Sequence, residues 1–303
     1  MSISVFRFRH HALAALALSA VVGLTACGGS VTAASDPTGA ASDAAKTPLF
    51  SQLPKEIQGA GTVKVASNVE YPPFESFDTD GKTIIGIDRE IADALEKKLG
   101  VTLTFDNIAF DAIIPGLASG RYDMAMSAMS DTAERQKQVS FLDYFQAGGG
   151  IMTTKANVEK LKSLTDLCGT KVGIVKGTTE DADAAEQSAK CQAAGNEPLA
   201  VTIYAGQNQA VLALQSERVD AFLVDSTSGS VVAADSNGEL AMGKAYQKLS
   251  FGIVFPKEST ELMAAVQKAL ESIKTDGTYE SILSKYKMQD HTIEQFTVNG
   301  STK

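Results

Sequence analysis

Gly120-Arg121-Tyr122-Asp123-Met124-Ala125-Met126-Ser127-Ala128-Met129-Ser130-Asp131-Thr132-Ala133-Glu134-Arg135 reads as a short apolar strand that stops at a run of small polar residues. A single arginine follows, about one turn into the helix expected next. In an open α/β sheet, ligands bind outside the carboxyl ends of the strands. At such an end Ser130 offers a hydroxyl and a backbone N–H, and Arg135 offers a planar fork that matches a carboxylate bidentately. Alone, the stretch fits a surface arginine after a turn equally well. The rest of the chain has to decide.

Working outward, strands and helices alternate, which predicts a parallel sheet with helices on its faces. Val63–Ala66 is a strand. Asp88 is placed to cap a helix running to Leu99, with Ile91, Leu95 and Leu99 on one face and Gly100 as its stop. Residues 101–105 form a strand and 111–119 a helix, whose first turn accommodates Pro115. Residues 122–126 form the next strand. A second set begins at the strand 171–175. The turn Lys176-Gly177-Thr178-Thr179 then opens an Ala-rich acidic helix. A strand over 201–204, a helix over 209–216, a strand over 221–224 ending at Asp225 and a strand over 251–255 follow. Helices over 261–273 and 279–286 finish the chain. Between the two sets stand Gly148, Gly149 and Gly150, which suit a bending connection.

The N-terminus reads as a targeting segment. Arg7, Arg9 and the pair His10-His11 precede an apolar run from Ala12 to Leu24, too short to span a bilayer and of signal-peptide length. Leu24-Thr25-Ala26-Cys27 resembles the lipobox of bacterial lipoproteins, in which the cysteine is lipidated and opens the mature chain. The alternative is an ordinary signal peptide with an incidental cysteine. Residues 27–50, rich in Gly, Ser, Ala and Thr, read as a flexible tether. Without Arg7 and Arg9 the 27 basic residues become 25 against 36 acidic ones, a balance of −11. That argues against nucleic acid or an anionic lipid surface as partner. With Cys27 assigned to lipid, Cys168 and Cys191 remain. An even pair in an exported chain predicts a disulfide, the alternative being two free thiols.

Tyr71-Pro72-Pro73-Phe74-Glu75, Gly86-Ile87-Asp88, Ile114-Pro115-Gly116-Leu117, Ser119 to Asp123 and Thr132 to Arg135 follow one another in a familiar order. So do Lys176 to Thr179, Arg218 to Ala221 with Val224-Asp225, and Phe251 to Lys257. Together these blocks, over residues 60 to 288, resemble the polar amino-acid-binding proteins of ABC importers. The resemblance implies a periplasmic-binding-protein-like α/β fold of two lobes joined by two hinge crossovers, with ligand in the cleft. Lobe 1 is expected over 51–147 and 248–303 and lobe 2 over 148–247, with the second crossover near 245–250. By the resemblance, Arg135 pairs with the ligand α-carboxylate, supported by Ser130 and by the backbone N–H of Thr179, with Thr178 beside it. That agrees with the affinity of helix N-termini for anions. Ala128 offers a carbonyl to the α-ammonium, which Asp225 neutralises. Tyr71 and Phe110 wall the side chain, although each also fits a plain core position. Three residues depart from the pattern. Asp131 stands where an apolar residue is usual. Asn68 stands near a position where binders of cationic amino acids place a carboxylate, and Glu70 lies close by.

The implied function is a receptor that captures an L-amino acid, expected to be polar, and delivers it to the permease and ATPase subunits of a transporter. The receptor is expected to be a monomer anchored by lipid at the cell envelope, with no cofactor and no metal. Two alternatives belong to other classes. One is a dehydratase-like enzyme of cyclic amino acids on the same scaffold, which needs a placed acid or base. Glu70 is the one nearby candidate, and His291 lies outside every block. The other is a ligand-sensing domain. Arg135 and Asp225 are both expected to line the cleft without supporting a core.

Overall fold

The computed structural model describes residues 47–302. The expected signal peptide, Cys27 and most of the tether lie outside the described residues. The tether was expected to run to residue 50. Leu49 and Phe50 instead already pack against the first hydrophobic core.

In chain order the elements are α1 (Lys55–Ala60), β1 (Thr62–Ser67), β2 (Glu70–Tyr71), β3 (Glu75–Phe77), β4 (Ile84–Ile85), α2 (Ile87–Leu99), β5 (Thr102–Asn107), α3 (Ile113–Ala118), β6 (Met124–Ser130), β7 (Val139–Ala147) and β8 (Gly149–Thr154). Then come β9 (Lys171–Val175), α4 (Thr179–Ala193), β10 (Ala200–Tyr204), α5 (Gln207–Gln215), β11 (Ala221–Asp225), α6 (Ser226–Asp235), β12 (Leu240–Met242), β13 (Leu249–Pro256), α7 (Thr260–Thr275) and α8 (Thr278–Lys285). One five-stranded sheet has the order β5-β1-β6-β13-β7 and the other β10-β9-β11-β8-β12, with β2, β3 and β4 in a small third sheet.

Each large sheet carries apolar core on both faces, successive strand residues pointing to opposite sides, although the edge strand β10 leaves Val201 and Ile203 exposed. In the first, Met124 and Met126 face the core that includes Ile91, Leu95 and Leu270, while Ala125 faces Ile113 and Leu117 on the other side. In the second, Val172 and Ile174 meet Ala184 and Cys191 of α4, while Phe222 and Val224 meet Ala210 and Leu214 of α5. The Cys168–Cys191 disulfide forms as expected and ties the loop before β9 to α4.

Three expectations need correction. The sheets are mixed, not purely parallel. β13 is antiparallel to β6 and β7, and β8 is antiparallel to β11 and β12. The reason is that the chain crosses between sheets twice and re-enters each from the opposite end. Asp88 is not the cap of α2, since Gly86 stands at that position and Asp88 is a fully buried residue of the first turn. No helix follows the strand at Ser130, and Arg135 opens only a 3-10 turn, Arg135–Lys137.

The crossovers run side by side. Ala147, Gly148 and Gly149 carry the chain from β7 to β8, and residues 243–248 bring it back to β13. A side chain on Gly148 would collide with the Gln247 carbonyl, one on Gly149 with the Tyr246 ring and one on Gly150 with Met242. Gly148 and Gly149 thus permit close approach of the two connections, and Gly150 leaves room for the Met242 side chain of β12. Asp183 of α4 accepts hydrogen bonds from Tyr246 Oη and Gln247 Nε2, both at 2.8 Å, and fastens the return connection. His291 stacks on Phe145 and contacts the Gln146 carbonyl through Nδ1 at 2.7 Å, so its role is at the base of this connection.

Candidate functional site

A cleft between the two sheets encloses about 530 Å³ of space between atoms, its open mouth included. Its lining brings together all nine residues expected at the ligand: Asn68, Tyr71, Phe110, Ala128, Ser130, Arg135, Thr178, Thr179 and Asp225. They come from loop ends at the carboxyl edges of both sheets, as the topology of open α/β sheets dictates.

Arg135 is held from both sides. Its Nη1 donates to the Ser130 carbonyl at 2.7 Å and its Nη2 to the Gly177 carbonyl across the cleft at 3.0 Å. The Phe110 ring lies under the guanidinium, 5.6 Å from its centre. A guanidinium has five N–H donors in a fixed fork, so two spent on carbonyls leave a donor edge for an anion. Burial lowers its pKa to about 10, and it stays charged at neutral pH.

Opposite stands the N-terminus of α4. Thr178 caps it, its Oγ1 accepting from the Asp181 N–H at 3.3 Å. Thr179 and Glu180 form its first turn and line the cleft. Unpaired N–H groups and the helix dipole make this end a seat for a carboxylate.

Asp225 ends β11, is 3% exposed and caps α6. Its Oδ1 accepts from the Thr227 and Ser228 backbone N–H groups at 2.8 and 3.3 Å and from the Thr227 hydroxyl. Its Oδ2 accepts from the Gly148 N–H at 2.8 Å. This corrects the expectation that Asp225 merely lines the cleft, because it also closes a helix end and pins a crossover. Burial raises its pKa, while these hydrogen bonds oppose the rise.

Tyr71 reaches across, its hydroxyl accepting from the Asp225 N–H at 3.3 Å. At the rim Lys176 pairs with Asp111 at 2.7 Å. With the Arg135–Gly177 bond, these contacts close the cleft. Asn68 gives its side-chain amide to the Ile108 carbonyl at 3.0 Å. Ala128 adopts a left-handed φ of 44°, its N–H donating to Asp88 at 3.3 Å. Beneath it lie two buried carboxyls. Glu75 accepts from the Ser127 hydroxyl at 3.1 Å, and Asp88 accepts from Tyr144. Burial raises both, Asp88 to about 6 and Glu75 well above its ordinary value, with Asp88 adding to the rise at Glu75.

Asp131 points away from the cleft. It is fully buried and accepts from Gln136 Nε2 at 2.8 Å and from the Ser301 N–H at 2.9 Å, fastening the C-terminal residues to the Arg135 turn. Glu70 is absent from the cleft lining and lies against Gly206 at the start of α5. Glu75, Ser127, Glu180, Gln207 and Phe251 do line it and were not singled out from sequence. Glu75 and Glu180 sit inside or directly behind quoted motifs. An acid in the first turn of a helix reads as a solvated dipole partner, so Glu180 gave no separate signal.

Residues 63–289 match the model of the bacterial extracellular solute-binding proteins, family 3. The chain belongs to that family. This solute-binding protein is 34% identical to the putative ABC transporter arginine-binding protein 2 of Escherichia coli over 233 residues, 75% of this chain and 91% of the relative. It is 29% identical to the histidine-binding periplasmic protein of Salmonella typhimurium over 252 residues, 79% of this chain and 90% of the relative. Among solved structures, an ancestral arginine-binding protein bound to arginine superposes with a TM-score of 0.69 at 36% identity, covering 75% of this chain and 98% of that one. An ancestral amino acid-binding protein, a precursor of cyclohexadienyl dehydratase, also reaches 0.69, at 32% identity, covering 77% of this chain and 98% of that one. These neighbours share the two-lobed fold. No helix among the described residues of this solute-binding protein is long and apolar enough to cross a membrane.

Proposed function

We propose that the chain is the substrate-binding receptor of an ABC importer and captures an L-amino acid with a basic side chain. The observation that carries this reading is the opposition of Arg135 to Asp225 across a closed cleft. A zwitterion spanning the two satisfies both charges and favours closure, because a ligand shifts a hinge equilibrium by binding one state better. The carboxylate sits between the free edge of Arg135, Ser130 and the first turn of α4 at Thr178 and Thr179. The ammonium sits between the Ala128 carbonyl and Asp225. Tyr71, Phe110 and Asn68 bound the side chain. Beyond Asp225 the lining holds two further carboxyls, Glu75 and Glu180, both raised by burial, which a ligand with an additional positive charge would draw toward the ionised form. The names of the arginine- and histidine-binding relatives agree. The receptor works as a single copy, exported and held at the envelope through lipid on Cys27. A membrane-bound fraction that survives Cys27→Ser counts against the anchor.

A thermal-shift screen of the proteinogenic amino acids tests the reading. A ligand at 100 times its dissociation constant adds about 2.7 kcal/mol of stability. Arg135→Ala then weakens calorimetric binding by about 2–5 kcal/mol, the usual loss on breaking a desolvated charge pair. No shift with any amino acid, or Arg135→Ala binding within about threefold of wild type, which is under about 1 kcal/mol, refutes it.

A further inference from the structure

Two departures from the family pattern meet at one place. The match to the family ends at residue 289, and the chain continues past it as a structured tail. Phe296 is buried edge-on against Tyr279, and Gln267 of α7 donates to its carbonyl at 2.9 Å. The tail then runs along the outer side of β7, the last strand of its sheet. The Thr297 carbonyl accepts from the Asp143 N–H at 2.9 Å, Val298 bridges Leu142, and the Asn299 N–H donates to the Phe141 carbonyl at 3.0 Å. Asn299 Oδ1 returns the contact by accepting from the Phe141 N–H at 2.8 Å. An edge strand is thereby covered. Gly300 allows the approach, since a side chain there would stand 2.6 Å from Asp143 Oδ2.

The second departure is Asp131, an acid where the family resemblance has an apolar residue. It is fully buried, and its Oδ2 accepts from the Ser301 N–H of the tail at 2.9 Å. Its Oδ1 accepts from Gln136 Nε2 at 2.8 Å, and the same nitrogen donates to the Ser301 carbonyl at 2.9 Å. Asp131, Gln136 and Ser301 thus close a ring of hydrogen bonds. A buried carboxyl without partners is costly, so the acid and the tail require each other. Residues 131 and 136 are also the two ends of the segment that carries Arg135. The other bonds within that segment are short-range, from the Arg135 N–H to Thr132 Oγ1 at 3.2 Å and from the Gln136 N–H to the Thr132 carbonyl at 2.9 Å.

We infer that the C-terminal tail is a strap that aims Arg135, with Asp131 and Gln136 as its positioning residues. This rests on the amino-acid reading above and extends it to a part of the chain outside the cleft. Neither Asp131 nor Gln136 lines the cleft, so both act through Arg135. A guanidinium grips a carboxylate through two parallel N–H bonds only when its plane is presented correctly. A single 3-10 turn is a weak support for that plane. Pinned at both ends by the tail, the turn holds the fork in place before the ligand arrives, and less freedom is lost on binding.

The experiment is calorimetry with L-arginine, or with the proteinogenic amino acid that leads the thermal screen. The proteins are wild type, a chain ended after Phe296, Gly300→Val and Gln136→Ala. Gly300→Val drives the tail off Asp143, whereas Gln136→Ala leaves the tail on β7 and cuts only the link from Gln136 to Ser301 and Asp131. Each variant is expected to bind about tenfold more weakly than wild type, the worth of one or two hydrogen bonds. Thermal unfolding without ligand identifies the folded variants, and Gln136→Ala decides the matter if the shortened chain does not fold. Arg135→Lys supplies the readout that a merely structural role would not move. Lysine keeps the charge on a flexible stem and has no fork to aim. On that background Gln136→Ala should cost less than about threefold, because residues that act through one another are not additive. Gln136→Ala binding within about twofold of wild type, or the same loss of about tenfold on both backgrounds, overturns the inference. A wild type that captures no amino acid refutes the receptor reading instead.

Discussion

Replacing Asp225 separates its two roles. In Asp225→Ala the first turn of α6 loses its cap, worth about 0.5–2 kcal/mol. The buried Gly148 N–H loses its acceptor, which costs about 1–3 kcal/mol when nothing replaces it. Together these come to about 1.5–5 kcal/mol. For a chain of this size each kcal/mol moves the midpoint by roughly 2–4 °C, so a drop on the order of 10 °C is expected. Asp225→Asn should recover the cap, because asparagine ranks with aspartate at that position. It should not recover the Gly148 contact, since a side-chain NH2 then meets a backbone N–H. Its midpoint therefore falls between those of wild type and Asp225→Ala. Ligand binding fails in both variants, because neither side chain carries the charge that an ammonium needs. The assays are thermal unfolding without ligand and calorimetry with it. An Asp225→Ala midpoint within about 2 °C of wild type, under about 1 kcal/mol by the same scale, refutes the link between the ligand seat, the helix cap and the crossover.

Replacing Cys168 and Cys191 together by Ala should lower stability by about 3 kcal/mol on loop-entropy grounds, for a bridge spanning 23 positions. An unchanged denaturant midpoint contradicts this. Asp143 is raised to about 7 by burial and by neighbouring Asp131, above its value in the unfolded chain. Its folded state thus holds a proton that the unfolded state releases, and its stabilising share, full in acid, is lost as pH rises from about 4 through 7. Asp143→Asn should flatten this part of the profile, and a slope equal to that of wild type removes the assignment.

Much of the architecture was legible in the sequence because it depends on local patterns. The apolar faces of α2 and α7, the short apolar runs of β6 and β9 and the stop at Gly100 all follow from residue pattern within one element. Ser130 and Arg135 were legible because ligands bind at strand ends in open α/β sheets, whereas the other cleft residues were legible only through the resemblance of their motif blocks to the family. The disulfide followed from cysteine number and compartment. Tertiary structure alone decided the rest. The antiparallel strands β8 and β13 arise from two crossovers, and no local periodicity encodes which sheet a strand joins. The spacing of the glycines at 148–150 reflects the return connection almost a hundred residues later. Asp131 turned out to fasten the C-terminal residues, and Asp88 to lie beneath the cleft floor, because charge in a sequence says nothing about what will be buried beside it. The same holds for Asp225 and Glu180. The sequence supplied the carboxyl groups, but the number of donors already on each one is set by which backbone amides the fold brings within reach, and that count determines what a ligand finds there.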